Sequence, residues 1–366
     1  MIHPLRAWNR FFFQPTSARP LGVIRILFGL VAMANLAFCA VDLELWYTDQ
    51  GLIQGDAIRA IAGKFQQSPL HYLQDPTSVK VAFALTAAAA FFLTIGFRAR
   101  LMGILFYLGM LSIQFRNTMS SSGADVLLMT FAFNLMLSPS GAAYSVDAWM
   151  ERRKRGGTQA EALIHPWTLR LIQVQVSLIY LVAGVLKASG MYWQNGTALH
   201  YVFTNTEVRR LDLSFLCEYP ILINLMTYGA LLSELLLAFF IWFRVCRPFV
   251  LWLGVMLHLG IVVSINIPCF GELMWIGYLA FLTPPEFNAL AAAVDVRRLF
   301  GRAVAKVATV EPPAIPFPAT STIRIDGPAS TPRPHFADLE PEPARPRVGA
   351  VAMSDDEIYG PFQIIL

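Results

Sequence analysis

The residues best placed to do chemistry lie inside an apolar run. At 100° per residue, Arg170, Gln173, Ser177, Tyr180, Gly184 and Lys187 fall within an arc of about 100° on one helix. The rest of that surface is Leu, Ile, Val and Ala. A polar stripe on a membrane helix normally faces the bundle interior or a wet cavity. Lys187 stands at the end of the stripe. A lysine there either snorkels to the headgroups or, in a partly desolvated pocket, acts as a base. Glu234 and His258 lie near the middle of two later apolar runs. A carboxylate at that depth must be protonated or paired. A His258–Glu234 pair would meet that need and relay protons, while His258 bonded across helices is the structural alternative. Arg25 is near one end of the first run, where snorkelling would suffice.

A second set of polar residues falls at helix ends of similar depth. Arg116 and Asn117 end one apolar run, Asp125 begins the next, Trp193 follows Lys187, and Glu272 begins the last run. If the helices converge, these residues and Tyr180 line a polar pocket with Lys187, His258 and Glu234 as its catalytic groups.

The elements that must position them follow from composition. Of 366 residues, 56% are hydrophobic and 14% charged, against about 25% charged in a soluble domain. Hydrocarbon excludes charge at about 2.5–3.5 kcal/mol per residue at a helix centre. Runs near the length of about 20 residues that crosses a bilayer occur at 20–41, 78–97, 101–116, 125–142, 167–188, 221–243, 248–266 and 272–288. The expected fold is all-α, a polytopic membrane helical bundle of about eight transmembrane helices. Its segments are 1–19, an N-terminal cytoplasmic stretch, 20–290, the transmembrane domain, and 291–366, a Pro-rich, mostly disordered cytoplasmic tail whose composition offers little apolar surface to bury.

Arginine and lysine set the orientation. Arg6, Arg10 and Arg19, then Arg98 and Arg100, then Arg152–Arg155, then Arg244 and Arg247, then Arg297, Arg298 and Arg302 alternate onto one side if the spans number eight. That side is the cytoplasm, with both termini on it; Arg209 and Arg210 are the exception. The expected location is the inner (plasma) membrane of a bacterium, with the lipid bilayer as partner. Segments 42–77 and 189–220 are expected to fold back as short interfacial helices. Cys217 and Cys269 both fall outside, where a disulfide can form. The run from Leu21 to Val41 is longer than a signal-peptide core. No metal-ligand spacing occurs, and no basic patch interleaved with aromatics marks a nucleic-acid partner.

Tyr180-Leu181-Val182-Ala183-Gly184-Val185-Leu186-Lys187, followed by Trp193, Gly196 and Ala198, resembles the vitamin K-dependent gamma-carboxylase and the bacterial membrane proteins grouped with it as the horizontally transferred transmembrane (HTTM) family. Ser145-Val146-Asp147, Glu234 and His258 extend the resemblance, and Arg116-Asn117 with Asp125 look like the bacterial members. It covers roughly residues 15–287. The resemblance implies a quinol-linked enzyme, carboxylase-like, in which Lys187 is the base that deprotonates vitamin K hydroquinone or another membrane quinol at the outer face, with a peptide as a further substrate. The carboxylase has a histidine shortly before its Ser-Val-Asp and a large luminal domain after its bundle; Ser138–Tyr144 contains no histidine, and the bundle here is followed by the Pro-rich tail. The other readings are a non-enzymatic protein that binds or transports a lipid or small solute, with Lys187 an anchor, and an accessory factor in peptide maturation.

Overall fold

Helix starts and stops in this chain are set by local capping chemistry and by side chains reaching in from other elements. The computed structural model describes residues 4–293 except 62, 64, 65, 74 and 157–161; the tail from 294 onward lies outside the described residues. Helix α1 (Pro4–Phe13) precedes a two-residue strand β1 (Thr16–Ser17) and helix α2 (Arg19–Val41). Helix α3 (Pro76–Ile95) is capped by Asp75, whose carboxylate accepts from the Ser78 N–H at 2.9 Å. Burial is not needed for that cap: the hydrogen bonds from Ser78 hold the Asp75 carboxyl below its ordinary range. It stops at Gly96, whose φ of 71° is a conformation that suits glycine. Helices α4 (Ala99–Arg116), α5 (Gly123–Leu137) and α6 (Val146–Lys154) follow. Ser122 and Asp125 form a capping box at the start of α5. After strand β2 (Leu163–Ile164) come α7 (Trp167–Ser189), α8 (Pro220–Phe240), α9 (Arg247–Ser264), α10 (Phe270–Tyr278), which runs on into a tight turn to Phe281, and α11 (Pro284–Ala293). Strands β1 and β2 pair antiparallel, Thr16 opposite Ile164, and tie the segment before α2 to the segment before α7.

The helices pack as two sequential series. Neighbours touch along α2, α3, α4 and α5, and again along α7, α8 and α9; α10 contacts α2, α5, α7 and α9 and joins the two. One apolar core spans both series, from Phe28 and Phe106 through Phe131 to Val176, Leu237 and Leu273. Small residues let backbones approach: a Cβ on Gly29 would collide with Thr94, and one on Gly277 would meet Val176 at 2.8 Å and Phe131 at 2.9 Å.

Five helices, α2, α3, α7, α8 and α9, are long and apolar enough to cross a membrane. Only 22–39% of each apolar window is buried, so most of it faces outward, as lipid contact requires. Each of the eight expected runs contains a helix, but 125–142 stops at Ser138 and 272–288 is broken at Leu282. Helix α4 carries Arg100 and Arg116 near its ends, while Gly123–Leu137 and Phe270–Phe281 are shorter than a full crossing. The expected short helices appear in both long connections, at Leu43–Tyr47 and Gly55–Ile61, and at Met191–Gln194 and Ala198–Thr204. The first connection is tied down by Ser68 Oγ donating to Ser112 O at 2.6 Å and by His71 Nε2 at 2.7 Å from Phe115 O.

Two expectations change here. Arg25 does not snorkel: it is fully buried and donates to the carbonyls of Ser140 at 2.6 Å, Ala143 at 3.2 Å and Tyr144 at 2.6 Å. It holds the turn between α5 and α6, whose carbonyls would otherwise be orphaned in an apolar setting. The four cysteines are all unpaired: Cys217 Sγ lies 3.8 Å from His200 O and Cys269 Sγ 3.9 Å from Val31 O.

Ser145-Val146-Asp147 serves as a joint. Ser145 Oγ accepts from Ala148 N–H at 2.8 Å and starts α6, while the Asp147 carboxylate accepts from the N–H groups of Arg98 at 2.8 Å and Ala99 at 2.9 Å and so caps α4 from a distance. Asp147→Ala is expected to lower stability by about 1–2 kcal/mol, with Asp147→Asn losing less; chemical denaturation in detergent measures it. No change in the alanine variant would mean water caps α4 equally well.

Candidate functional site

Positions 180, 184 and 187 of α7 sit one above another at spacings of four and three. Gly184 matters because α8 lies against it: a Cβ there would come within 2.9 Å of Leu235 and 3.8 Å of Glu234 Cβ. That closeness brings Lys187 to Glu234. Lys187 Nζ donates to Glu234 Oε1 at 2.8 Å and to Oε2 at 3.0 Å, with the two side chains only 10% and 8% exposed. The helix breaks at Gly190, and the short Met191–Gln194 helix returns Trp193 over the pair, its ring centroid 5.4 Å from Nζ. The stack is a cation–π contact in a water-poor site. Trp193 Nε1 is itself buried without a partner.

Toward the middle of the bundle a second group forms. The Tyr180 hydroxyl shares a 2.6 Å hydrogen bond with His258 Nε2 of α9 and a further one with the Tyr278 hydroxyl of α10. The three rings also pack on each other, with centroids 6.0–6.5 Å apart. Whichever way the protons run along this row, His258 Nδ1 is left buried without a partner. Gly254 makes room for the row, since a Cβ there would strike the Tyr278 hydroxyl. The expected His258–Glu234 pair does not form: Glu234 takes Lys187 and His258 takes Tyr180.

The rest of the α7 stripe is satisfied separately. Arg170 Nη1 donates to Gln173 Oε1 at 2.8 Å, Gln173 Nε2 to Ala280 O at 2.6 Å, and Trp242 Nε1 to Ser177 Oγ at 2.9 Å. Among the described residues no hydrogen bond joins these groups to Tyr180 or Lys187.

The helix-end residues assemble elsewhere. Arg116 Nη2 donates to Asp49 Oδ1 at 3.3 Å and Ile53 O at 3.2 Å, and Asn117 Nδ2 to Trp46 O at 2.9 Å, so both hold the first long connection. Asp125 accepts from Ser122 N–H at 2.8 Å and from Asn35 Nδ2 at 3.3 Å. Asn117, Asp125, Asn35 and Cys39 line a cavity of about 10 Å³, the size of one water. Glu272 opens α10, with Oε2 buried and unpartnered. Among the described residues no hydrogen bond or ion pair joins Lys187, Glu234 or Trp193 to Arg116, Asn117, Asp125 or Glu272. The structure therefore makes two polar groups where similar depth suggested one.

The model of the HTTM domain matches residues 13–285 of this chain. The chain belongs to the HTTM family. No curated protein and no solved structure matches it. The HTTM domain runs from the last residue of α1 into the start of α11, and every residue of both polar groups lies inside it. With its outward-facing apolar helices, this HTTM chain is a membrane protein. Among its described residues, no group of three His, Cys, Asp or Glu could hold a metal ion. Two residues of the HTTM site escape sequence reasoning. Tyr278 sits in an apolar run with only its hydroxyl to mark it, and Asn35 is a single amide on α2. An amide or phenol buried in an otherwise apolar helix was the available signal.

Proposed function

We propose that this HTTM protein is a membrane enzyme in which Lys187 and Glu234 together take a proton from a hydroxyl-bearing, membrane-soluble substrate. Vitamin K hydroquinone or another membrane quinol is the favoured cofactor. The observation that carries the reading is the bidentate Lys187–Glu234 pair, buried beneath Trp193 and about two turns of α7 beyond the Tyr180–His258–Tyr278 row. As an ion pair it accepts a proton on the carboxylate; as a neutral amine and acid it accepts one on the amine. Both routes end in ammonium and carboxylic acid, so the pair is a single base with one empty place. The buried, unpartnered Trp193 Nε1 and His258 Nδ1 fit a ligand that brings its own polar oxygens. When bound, a quinol would supply an ionisable phenol and two electrons. Tyr180 would pass a proton between the pair's side of the bundle and His258, and Trp193 would exclude water. Resemblance to the carboxylase puts carboxylation of a peptide first among the reactions such a base would drive.

The alternatives are a protein that binds or moves a lipid or small solute and an accessory factor in peptide maturation. A conduit needs polar groups continuous from Arg170 to Lys187, and the stripe is instead broken into separately satisfied groups. The membrane setting belongs to the same proposal: an inner-membrane, multi-pass arrangement with the arginine-bearing connections and both termini in the cytoplasm.

Quinol-dependent oxygen uptake in lipid nanodiscs tests it. Wild type is expected to turn over, and the double variant Lys187→Met/Glu234→Leu to lose at least about a hundredfold in rate while staying folded. Wild-type rates at background with each of several quinols would move the assignment to the lipid- or solute-binding reading.

A further inference from the structure

At the end of the bundle opposite Lys187, a cavity of about 400 Å³ opens between α1, the start of α7, the α8–α9 connection and the segment after α10. Four arginines line it: Arg10, Arg170, Arg244 and Arg247. No carboxylate among the described residues does. Among the described residues none of the four makes an ion pair, and the acid close by, Glu286, is taken by the Thr283 N–H at 2.7 Å. That bond, with Arg247 and Arg244 nearby, holds its carboxyl below the ordinary range.

The half-buried guanidinium groups of Arg170 and Arg247 are aimed by neutral partners. Arg247 donates from Nε, Nη1 and Nη2 to the carbonyls of Ile241, Phe281 and Trp242 at 3.0–3.3 Å. Arg170 donates from Nε to Phe11 O at 3.2 Å and lies over the Phe11 ring, 4.4 Å from its centroid. These bonds fix direction without neutralising the charge, and the nearby acid, Glu286, offsets only part of it. Helices α7 and α9, of 23 and 18 residues, both begin at the cavity without a side-chain cap, which adds the positive ends of two helix dipoles. Holding four guanidinium groups together with, among the described residues, a single carboxylate nearby is unfavourable unless a further anion completes the site.

The walls decide which anion. Phe11, Trp242 and Phe281 form one aromatic side, with centroids 6.1 Å and 5.6 Å apart in succession. Helix α1, which contributes Arg10 and Phe11, leaves Leu5, Trp8 and Phe13 exposed along its length, as an interfacial helix does. A soluble anion needs no such apolar approach. We infer that this cavity binds the phosphate of an anionic phospholipid, with the headgroup between Arg10, Arg170, Arg244 and Arg247 and the acyl chains along the Phe11–Trp242 side. The site is independent of the quinol reading and rests only on the protein being in a membrane.

Binding of phosphatidylglycerol to the purified protein in neutral detergent, measured by native mass spectrometry, tests this. Arg10 and Arg244 are exposed, so Arg10→Gln/Arg244→Gln keeps the bonds of Arg170 and Arg247. Wild type is expected to prefer phosphatidylglycerol to phosphatidylcholine, and the double variant to bind it about thirtyfold more weakly. Arg152→Gln/Arg153→Gln, on the exposed α6, is expected to bind as wild type does. Equal wild-type affinity for the two lipids, or equal loss in the α6 variant, would show a general basic surface and overturn the site. Complete displacement of phosphatidylglycerol by millimolar inorganic phosphate would overturn the lipid assignment in favour of a free anion.

Discussion

Replacing Lys187 with alanine is expected to destabilise the protein by about 3–5 kcal/mol, because it strands Glu234 as a buried group without its counter-charge. Glu234→Gln is expected to cost less, since the amide still accepts one hydrogen bond from Nζ while the ammonium loses its neutraliser. The informative variant is the double one. Lys187→Met/Glu234→Leu removes both charges, fills similar volume, and is expected to recover most of the loss, so the coupling between the positions is large and of opposite sign to the single effects. Unfolding of the four proteins in mixed micelles gives the cycle. A single-variant cost below about 1 kcal/mol would mean the pair is solvated in the membrane and is not a closed centre. The same double variant is the control for the activity experiment: a folded protein without turnover separates loss of chemistry from loss of structure.

Arg25→Met is expected to cost a similar amount, about 3–5 kcal/mol. The guanidinium serves three carbonyls of one turn, and methionine fills the space while leaving all three without a donor. Arg25→Lys is expected to recover only part, because an ammonium cannot reproduce a planar fork that spans Ser140, Ala143 and Tyr144. Gly96 is coupled to this site. A Cβ there would lie 2.8 Å from the guanidinium carbon, and the backbone is already left-handed, so Gly96→Ala and Arg25→Met should be less than additive. If Arg25→Met unfolds at the same denaturant concentration as wild type, the turn between α5 and α6 does not depend on the arginine.

The helices were legible because hydrocarbon imposes a length and a composition that a chain cannot disguise. The runs found at 20–41, 78–97 and 167–188 are the helices Arg19–Val41, Pro76–Ile95 and Trp167–Ser189 within two residues at each end. Ends placed late, as at 142 and 288, ran past Ser138 and Leu282, where extended backbone stops the helix. The α7 stripe and the importance of Lys187 and Glu234 were legible too, since both are costly in an apolar run. Their partnership was not. Sequence gives depth along a helix; it does not give the angle of that helix around the bundle. Arg116, Asn117 and Asp125 were expected at the depth of Lys187, yet α4 packs between α3 and α5 while α7 pairs most extensively with α8. Gly184, whose missing side chain admits α8, carries that information, but only once the neighbour is known.

The ion pair also bears on how the chain enters a membrane during synthesis. Lys187 leaves the ribosome before Glu234, and each alone inside hydrocarbon carries a penalty, at most about 2.5–3.5 kcal/mol at a helix centre and less for Lys187 in the last turn of α7. Helix α7 presented by itself would be held back by its lysine, and α8 by its glutamate. Joined across the 30 residues from 190 to 219, they neutralise each other. The insertion unit is therefore the α7–α8 hairpin, and nascent chains that end between the two helices should leave α7 waiting at the insertion machinery until Glu234 arrives.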